Sequence, residues 1–175
     1  MSDELNRWFT ALLIGWIGIN TDAHAQDLPE YRLKAGFLYN FALFTEWPAD
    51  VGPTLTICVL GTDPFGKEID GLRGKGIGSR RLAVRKRGIG EEIRDCQVVF
   101  IAADAVPGLP RLQWELQGAP VLTVADSPGA VRQGVMLNLT LVDGKIAFEV
   151  NLKAARAAGL GLSSQLLRLA TEIVQ

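Results

Sequence analysis

Along this chain, segments with the apolar pattern of strands alternate with segments that have the apolar spacing of helices. This order predicts strands interleaved with helices. Nearly continuous apolar runs at 54–61, 96–104 and 119–126 are typical of strands that are covered on both faces. Residues 135–152 indicate two strands joined at Asp143-Gly144, a strong hairpin signal. We therefore expect an α/β fold with a mixed, mostly parallel central sheet flanked by helices and a C-terminal antiparallel hairpin.

The segment from Gln26 to Trp47 predicts the first helix, because Pro48 pushes the residue before it out of helical geometry. At helical spacing its apolar residues share one arc, with Asn40 near the middle. We expect this arc to be buried and Asn40 to fasten the helix to the sheet, since a buried amide needs hydrogen-bond partners. The alternative is a polar spot in an apolar pocket. The arc comprises Leu33, Gly36, Phe37, Asn40, Phe41, Leu43, Phe44 and Trp47.

Two further polar positions are expected to act as helix caps near the end of the chain. Asn151 follows the last strand of the hairpin and could cap the segment LKAARAAG. Residues 162–174 predict a C-terminal helix, with Ser163 or Ser164 as its N-cap. For these residues too, the alternative is a place in a binding pocket with Asn40 and Trp47.

The first residues have the pattern of an export signal. Trp8 to Asn20 is an uncharged apolar run after Arg7, and Ala23-His24-Ala25 fits a small-x-small cleavage site. We expect residues 1–25 to be a signal peptide cleaved near Ala25-Gln26, and residues 26–175 to form a single periplasmic domain. The alternative is a single membrane anchor, but the apolar run is shorter than the roughly 20 residues that a spanning helix needs.

Export changes the chemistry that we expect of the chain. His24 is its only histidine and would leave with the signal, which excludes a Ser-His-Asp triad and His-ligated metals. No nucleotide-binding glycine motif or paired catalytic carboxylates are recognisable. The charges nearly balance, so we expect no nucleic-acid partner. The sequence thus predicts a protein that is not an enzyme, with no catalytic residue, cofactor or metal site.

Two features remain as candidates for structural or binding roles. Cys58 and Cys96 are the only cysteines, and in an oxidising compartment they are most simply one disulfide; the alternative is two buried free thiols. Seven basic residues lie between Arg73 and Arg87 with no acidic residue among them. We consider this stretch a possible partner contact, the alternative being an edge strand protected by charge. The candidate contact residues are Arg80, Arg81, Arg85 and Arg87.

Five segments in order give the chain a resemblance to a known family. They are KAGFLYNFALFTEWP, ICVLGTDPFG, CQVVFIA, VLTVAD and GKIAFEVNLKAARAAGLGLSSQLLRLA, spread from about Tyr31 to Ala170. Together they resemble the YfiR family of small periplasmic proteins. Two departures stand out: the chain has one cysteine pair where the best-known member has more, and Gln133-Gly134 where many members have paired glycines.

The resemblance implies a regulatory function. It implies a protein that inhibits a membrane diguanylate cyclase by binding its periplasmic sensor region, and so lowers cyclic-di-GMP output and biofilm formation. It also implies sequestration by an outer-membrane lipoprotein, and a tendency to form homodimers. The alternative is a periplasmic small-molecule sensor or binding protein that acts with a sensor kinase or membrane receptor.

Overall fold

The computed structural model describes residues 27–175, so the predicted signal peptide lies outside the described residues. The helices are α1 (Asp27–Leu43), α2 (Lys67–Asp70), α3 (Leu109–Glu115), α4 (Leu152–Ala157) and α5 (Ser164–Leu167). The strands are β1 (Thr45–Glu46), β2 (Thr54–Leu60), β3 (Gly76–Ile77), β4 (Arg80–Arg87), β5 (Val98–Ile101), β6 (Leu122–Ala125), β7 (Leu137–Val142), β8 (Lys145–Asn151), β9 (Gly161–Leu162) and β10 (Glu172–Val174). Short 3₁₀ helices span Ala103–Gly108 and Ala130–Gln133.

Eight strands form one mixed sheet in the order β10-β8-β7-β6-β5-β2-β4-β3. The central strands β4, β2, β5, β6 and β7 pair in parallel, and β7 and β8 form the antiparallel hairpin. Asp143 and Gly144 both have positive φ angles, of 50° and 71°, as a type I′ turn requires. The expected α/β fold is therefore confirmed.

The end of the chain differs from the expected C-terminal helix. Helix α5 ends at Leu167, and β10 instead pairs in parallel with β8, with Ile173 beside Val150. Thr171, Ile173 and Val174 are β-branched, which favours extended backbone. The edge of β8 provides hydrogen-bonding partners for that extended segment, so the helical spacing of residues 162–174 was misleading.

Each face of the sheet has its own hydrophobic core. On the α1 face, Ile57, Val59 and Phe100 pack with α1, α2, α4 and α5. On the opposite face, Cys58, Val99 and Ile101 pack against α3 and the 3₁₀ helix before it. Neighbouring strand residues alternate between these cores because side chains alternate across a strand.

Helix α1 is turned about half a revolution from the expected orientation. Its buried side contains Ala35, Leu38, Phe41 and Ala42, and the Phe41 and Phe148 rings lie 5.1 Å apart between centroids. Half of the expected arc is exposed, with Leu33 57% and Leu43 40% exposed, and Phe41 is its only fully buried residue. Apolar residues occur on nearly every side of this helix, so periodicity alone could not select the face that meets the sheet.

Candidate functional site

The two cysteines form the expected disulfide, which is confirmed. Cys58 lies in β2 and Cys96 in the turn before β5, with their Cα atoms 5.9 Å apart. Both residues are fully buried in the core on the α3 face. The bond therefore fastens the 88–97 connection to the middle of the sheet and is not exposed at a surface.

In the structure, carboxylates from outside the basic stretch pair with several of its basic side chains. Asp95 accepts hydrogen bonds from both Arg85 and Arg87, the latter at 2.7 Å between Nη2 and Oδ2. Lys86 Nζ lies 2.6 Å from Asp63 Oδ2, and the hydrogen bond with that carboxylate raises the pKa of Lys86. Two aspartates outside the basic stretch thus offset part of the charge of three basic residues.

The two remaining candidate arginines contact the backbone. Arg80 donates from Nε to Gly52 O at 3.2 Å, and Arg81 donates from Nη1 to Gly74 O at 3.2 Å. These bonds fasten β4 to the loops beside it. A role for Arg80, Arg81, Arg85 and Arg87 in partner contact stays a prediction. The Asp95 carboxylate offsets part of the charge of Arg85 and Arg87, whereas backbone bonds leave the charge of Arg80 and Arg81 intact.

Asn151 and Ser163 occupy the starts of short helices. Asn151 Oδ1 accepts from the Ala154 N–H at 2.8 Å, and its Nδ2 donates to Val131 O at 3.0 Å. Ser163 Oγ accepts from the Leu166 N–H at 3.2 Å, whereas Ser164 is the exposed first residue of α5. Asn151 therefore joins α4 to the 3₁₀ helix at Ala130–Gln133, in addition to capping α4.

Trp47 and Asn40, which the sequence places on one buried arc, differ in exposure from that expectation. Trp47 is half-buried, and its Nε1 donates to Ala42 O at 2.9 Å, which closes the last turn of α1. Asn40 is exposed, so the prediction of a buried amide was wrong. The reason is the rotation of α1, which places the side centred on Leu38 against the sheet.

The rotation creates a surface that we call the outward face of α1, formed by Leu33, Gly36, Asn40 and Leu43. All four residues are exposed, and three of them are apolar or lack a side chain. Half-buried Phe37 and Phe44 border it. Apolar residues grouped on an exposed helix face commonly mark a contact surface for another macromolecule.

A buried charged cluster, which sequence reasoning missed, anchors the other end of α1. Lys34 is 5% exposed, and its Nζ lies 2.7 Å from Asp126 Oδ2 and 2.5 Å from Glu30 Oε1. The Tyr31 hydroxyl donates to the same Asp126 oxygen at 2.9 Å. The spacing of four between Glu30 and Lys34 was the only signal in the sequence. Asp126, the main partner of Lys34, lies almost a hundred residues further along the chain.

Burial and charge shift the pKa values within this cluster. Burial and the neighbouring Asp126 carboxylate raise the pKa of Tyr31 to about 12. Burial opposes the charge on Lys34, but hydrogen bonds to Asp126 and Glu30 outweigh it and raise the Lys34 pKa. At neutral pH the cluster therefore contains a neutral tyrosine and a charged lysine that joins two carboxylates.

Comparisons with solved structures report on the fold. The chain is similar to "the ABC domain in complex with L-Trp from Streptococcus pneumonia", with a TM-score of 0.56 and 10% sequence identity. The similarity covers 82% of this chain but only 60% of the other chain. None of the curated proteins compared with the chain matches it.

Comparison with family models identifies the family. Between residues 27 and 175, none of the helices is both long and apolar enough to cross a bilayer. A family model described as YfiR/HmsC-like matches residues 31–171, which is most of the chain and includes the outward face of α1, the disulfide and the C-terminal hairpin. The chain therefore belongs to the YfiR/HmsC-like family.

Proposed function

We propose that this chain is a non-catalytic periplasmic protein that binds and inhibits the periplasmic sensor region of a membrane diguanylate cyclase. Membership of the YfiR/HmsC-like family supports the general role of a periplasmic regulator that acts with a membrane signalling protein. Inhibition would follow from preferential binding to one state of the cyclase, since a ligand shifts an equilibrium only by its differential affinity.

The outward face of α1 is the observation that carries this proposal. Leu33 and Leu43 are 57% and 40% exposed, and Asn40 lies between them with its amide free to meet a partner. Protein–protein interfaces combine an apolar centre with polar groups that fix orientation. Exposed leucines beside an amide, on a helix whose opposite side is fully packed, fit that composition.

The test is the affinity of the exported protein for the periplasmic domain of a membrane diguanylate cyclase from the same cell, measured by calorimetry. Leu33→Asp and Leu43→Asp each place a charge on the outward face and should weaken binding at least about tenfold, or about 1.4 kcal/mol. Ile89→Asp is the matched control, because Ile89 is 62% exposed but lies in the 88–97 connection on the other face of the sheet.

The comparison of variants separates the possible outcomes. Weaker binding by both α1 variants and unchanged binding by Ile89→Asp supports the outward face of α1 as the contact. Equal affinities for all three variants would exclude that face. A cyclase whose activity in vesicles is unchanged by saturating protein would exclude inhibition, even if binding were tight.

The basic strand β4 is a second candidate contact for the cyclase. Charge reversal by Arg81→Glu or Arg85→Glu should weaken partner binding at low salt if β4 contributes electrostatically. Unchanged affinity at low salt would remove β4 from the contact.

Two further partners are proposed: an outer-membrane lipoprotein that sequesters the protein, and a second copy that forms a homodimer. Co-purification tests the first and sedimentation tests the second.

A second proposal is a small-molecule sensor that acts with a membrane receptor. Two observations favour it: a recess of about 570 Å³ beside Trp114, which is 75% exposed, and a fold shared with a domain bound to L-Trp. Ligand binding should raise the melting temperature. No shift with aromatic amino acids or nucleotides would count against this proposal without affecting the first.

A further inference from the structure

Strand β7 continues beyond the end of the strand that pairs with it. Strand β6 pairs with β7 only at Val124–Leu137 and Ala125–Asn138. The β7–β8 hairpin continues for four more pairs, as far as Val142–Lys145. Within residues 27–175, the segment Leu139–Val142 therefore has no paired strand on its β6 side.

The hydrogen-bond alternation of the hairpin shows where the backbone of this segment points. The Asn151 N–H donates to Met136 O at 2.7 Å, so even-numbered β7 residues bond to β8. In an antiparallel pair, hydrogen-bonded and non-hydrogen-bonded residues alternate. The N–H and C=O groups of Leu141 consequently point away from β8, toward the side where β6 has ended.

A recess lies directly beside this free edge, and we call it the β7 notch. Its volume is about 420 Å³. It is lined by β7 from Asn138 to Leu141, by Glu149 of β8 and by Glu30 and Lys34 of α1. The loop Asp126–Gly129, which follows β6, also lines it. The notch thus lies where the next strand of the sheet would continue.

The edge itself has the side chains that a strand-binding surface needs. Leu141 is 54% exposed and Val142 is 48% exposed. The segment Leu139–Val142 contains no charged residue and no proline, although exposed sheet edges are usually protected by such residues. An apolar, unprotected edge with free backbone groups favours the addition of another strand.

The charges around the notch indicate the kind of peptide that would bind. Glu30, Asp126 and Glu149 line it with a single base, Lys34. Lys34 already contacts Glu30 and Asp126, and among residues 27–175 Glu149 Oε2 accepts only from the neutral Asn138 amide, at 3.1 Å. Carboxylates are in excess, so a basic side chain on the bound strand gains favourable electrostatics.

We propose that the β7 notch binds an extended peptide segment of a partner protein, with alternating apolar and basic residues, as an additional strand on β7. The apolar residues pack on Leu141, on the α1 face of the sheet, and the basic ones face Glu149, on the opposite face. A second copy fits less well, because antiparallel pairing of two β7 edges brings Asp143 of each copy toward the other's acidic notch. This inference goes beyond the proposed function, since it does not involve the outward face of α1.

The test uses the exported protein and a synthetic peptide of about six residues that alternates Val and Lys. Amide hydrogen exchange measured by NMR should show the Leu141 N–H protected at least about tenfold by ~1 mM peptide, because that N–H gains a partner. A peptide that alternates Val and Glu is the matched control and should protect it less.

Two substitutions distinguish a backbone contact from a side-chain contact. Leu141→Pro removes the N–H that faces the notch but keeps the bonds to β8, since proline is tolerated at such edge positions. It should weaken peptide binding about tenfold, while Leu141→Thr, which keeps the N–H, should weaken it less. Glu149→Gln should reduce the preference for the basic over the acidic peptide.

Three results would overturn the proposal. One is an unprotected Leu141 N–H at ~1 mM basic peptide. Another is undiminished peptide binding by a folded Leu141→Pro variant. The third is protection without peptide that increases with protein concentration, which would assign the edge to a second copy. None depends on the calorimetry with the cyclase domain, so failure here and failure of the proposed function are distinguishable.

Discussion

Two junctions of this molecule contain clusters of opposite charges, and they are built differently. At the α1–β6 junction, Lys34 and Asp126 have side chains only 6% and 7% exposed. At the β4 junction, Arg85 and Asp95 have side chains 52% and 42% exposed, and the buried Cys58–Cys96 disulfide lies beneath them. The α1–β6 junction is thus held by an ion pair that is shielded from water. The β4 junction is held by a buried disulfide, and its ion pairs lie at the surface.

We expect burial, and not the density of charge in the sequence, to set the contribution of each ion pair to stability. Removing one partner of a buried pair leaves the other charge in a poorly solvated site, which costs several kcal/mol. Exposed ion pairs are well solvated in both the folded and the unfolded protein, so they contribute little to the free energy of unfolding. The single lysine of α1 should therefore matter more to stability than the arginines of β4.

The largest expected effect is at the buried junction. Lys34→Ala should lower the free energy of unfolding by about 3–5 kcal/mol, because Asp126 loses its main charged partner. Urea denaturation monitored by circular dichroism measures this change. Lys153→Ala is the control, since Lys153 is exposed in α4, and it should change stability by less than about 0.5 kcal/mol. Equal losses for the two variants would contradict the comparison.

Loss of the disulfide should have the second-largest effect on stability. Replacing Cys58 and Cys96 together by Ala opens a cross-link across a sequence separation of 38, worth about 4 kcal/mol in the chain-entropy model. Thermal unfolding should show a melting temperature lower by several degrees. Reductant should lower the melting temperature of the native protein but not of the variant. Equal stability of the native protein with and without reductant would rule out a bonded pair.

The pH dependence provides a smaller effect at the buried junction. Tyr31 has its pKa raised from 10.0 to about 12, so the folded state keeps a proton that the unfolded state loses in this range. Stability should therefore fall as the pH rises from about 10 to 12, and the raised pKa of Lys34 acts in the same direction. Tyr31→Phe should make the fall shallower, as measured by urea denaturation across this range. An identical slope in the variant would exclude Tyr31 as a source.

The smallest effect is expected at the β4 junction. Arg85→Ala should change the free energy of unfolding by no more than about 1 kcal/mol, and less at high salt. Arg111→Ala, which removes an exposed pair with Glu115 on α3, is the matched control and should behave similarly. Urea denaturation at low and high salt checks both variants. A loss for Arg85→Ala as large as that for Lys34→Ala would break the distinction between the two junctions.

The sequence predicted the sheet well because its central strands are continuous apolar runs and the Asp143-Gly144 turn has a distinctive local signal. It also predicted the cysteine pair. It could not orient α1, because Leu33 and Leu38 are equally apolar and only the sheet distinguishes them. The Lys34–Asp126 pair and the free edge of β7 arise from contacts or strand lengths that no local pattern records.

Within residues 27–175, two indole rings can report on different parts of the molecule by fluorescence. Trp47 and Trp114 are the tryptophans of the described residues, the first half-buried at the C-terminal end of α1 and the second 75% exposed on α3. A Trp114→Phe variant leaves only Trp47 to emit from residues 27–175, close to the outward face of α1. Docking of a partner there should shift that emission, so the binding event can be followed optically without any added label.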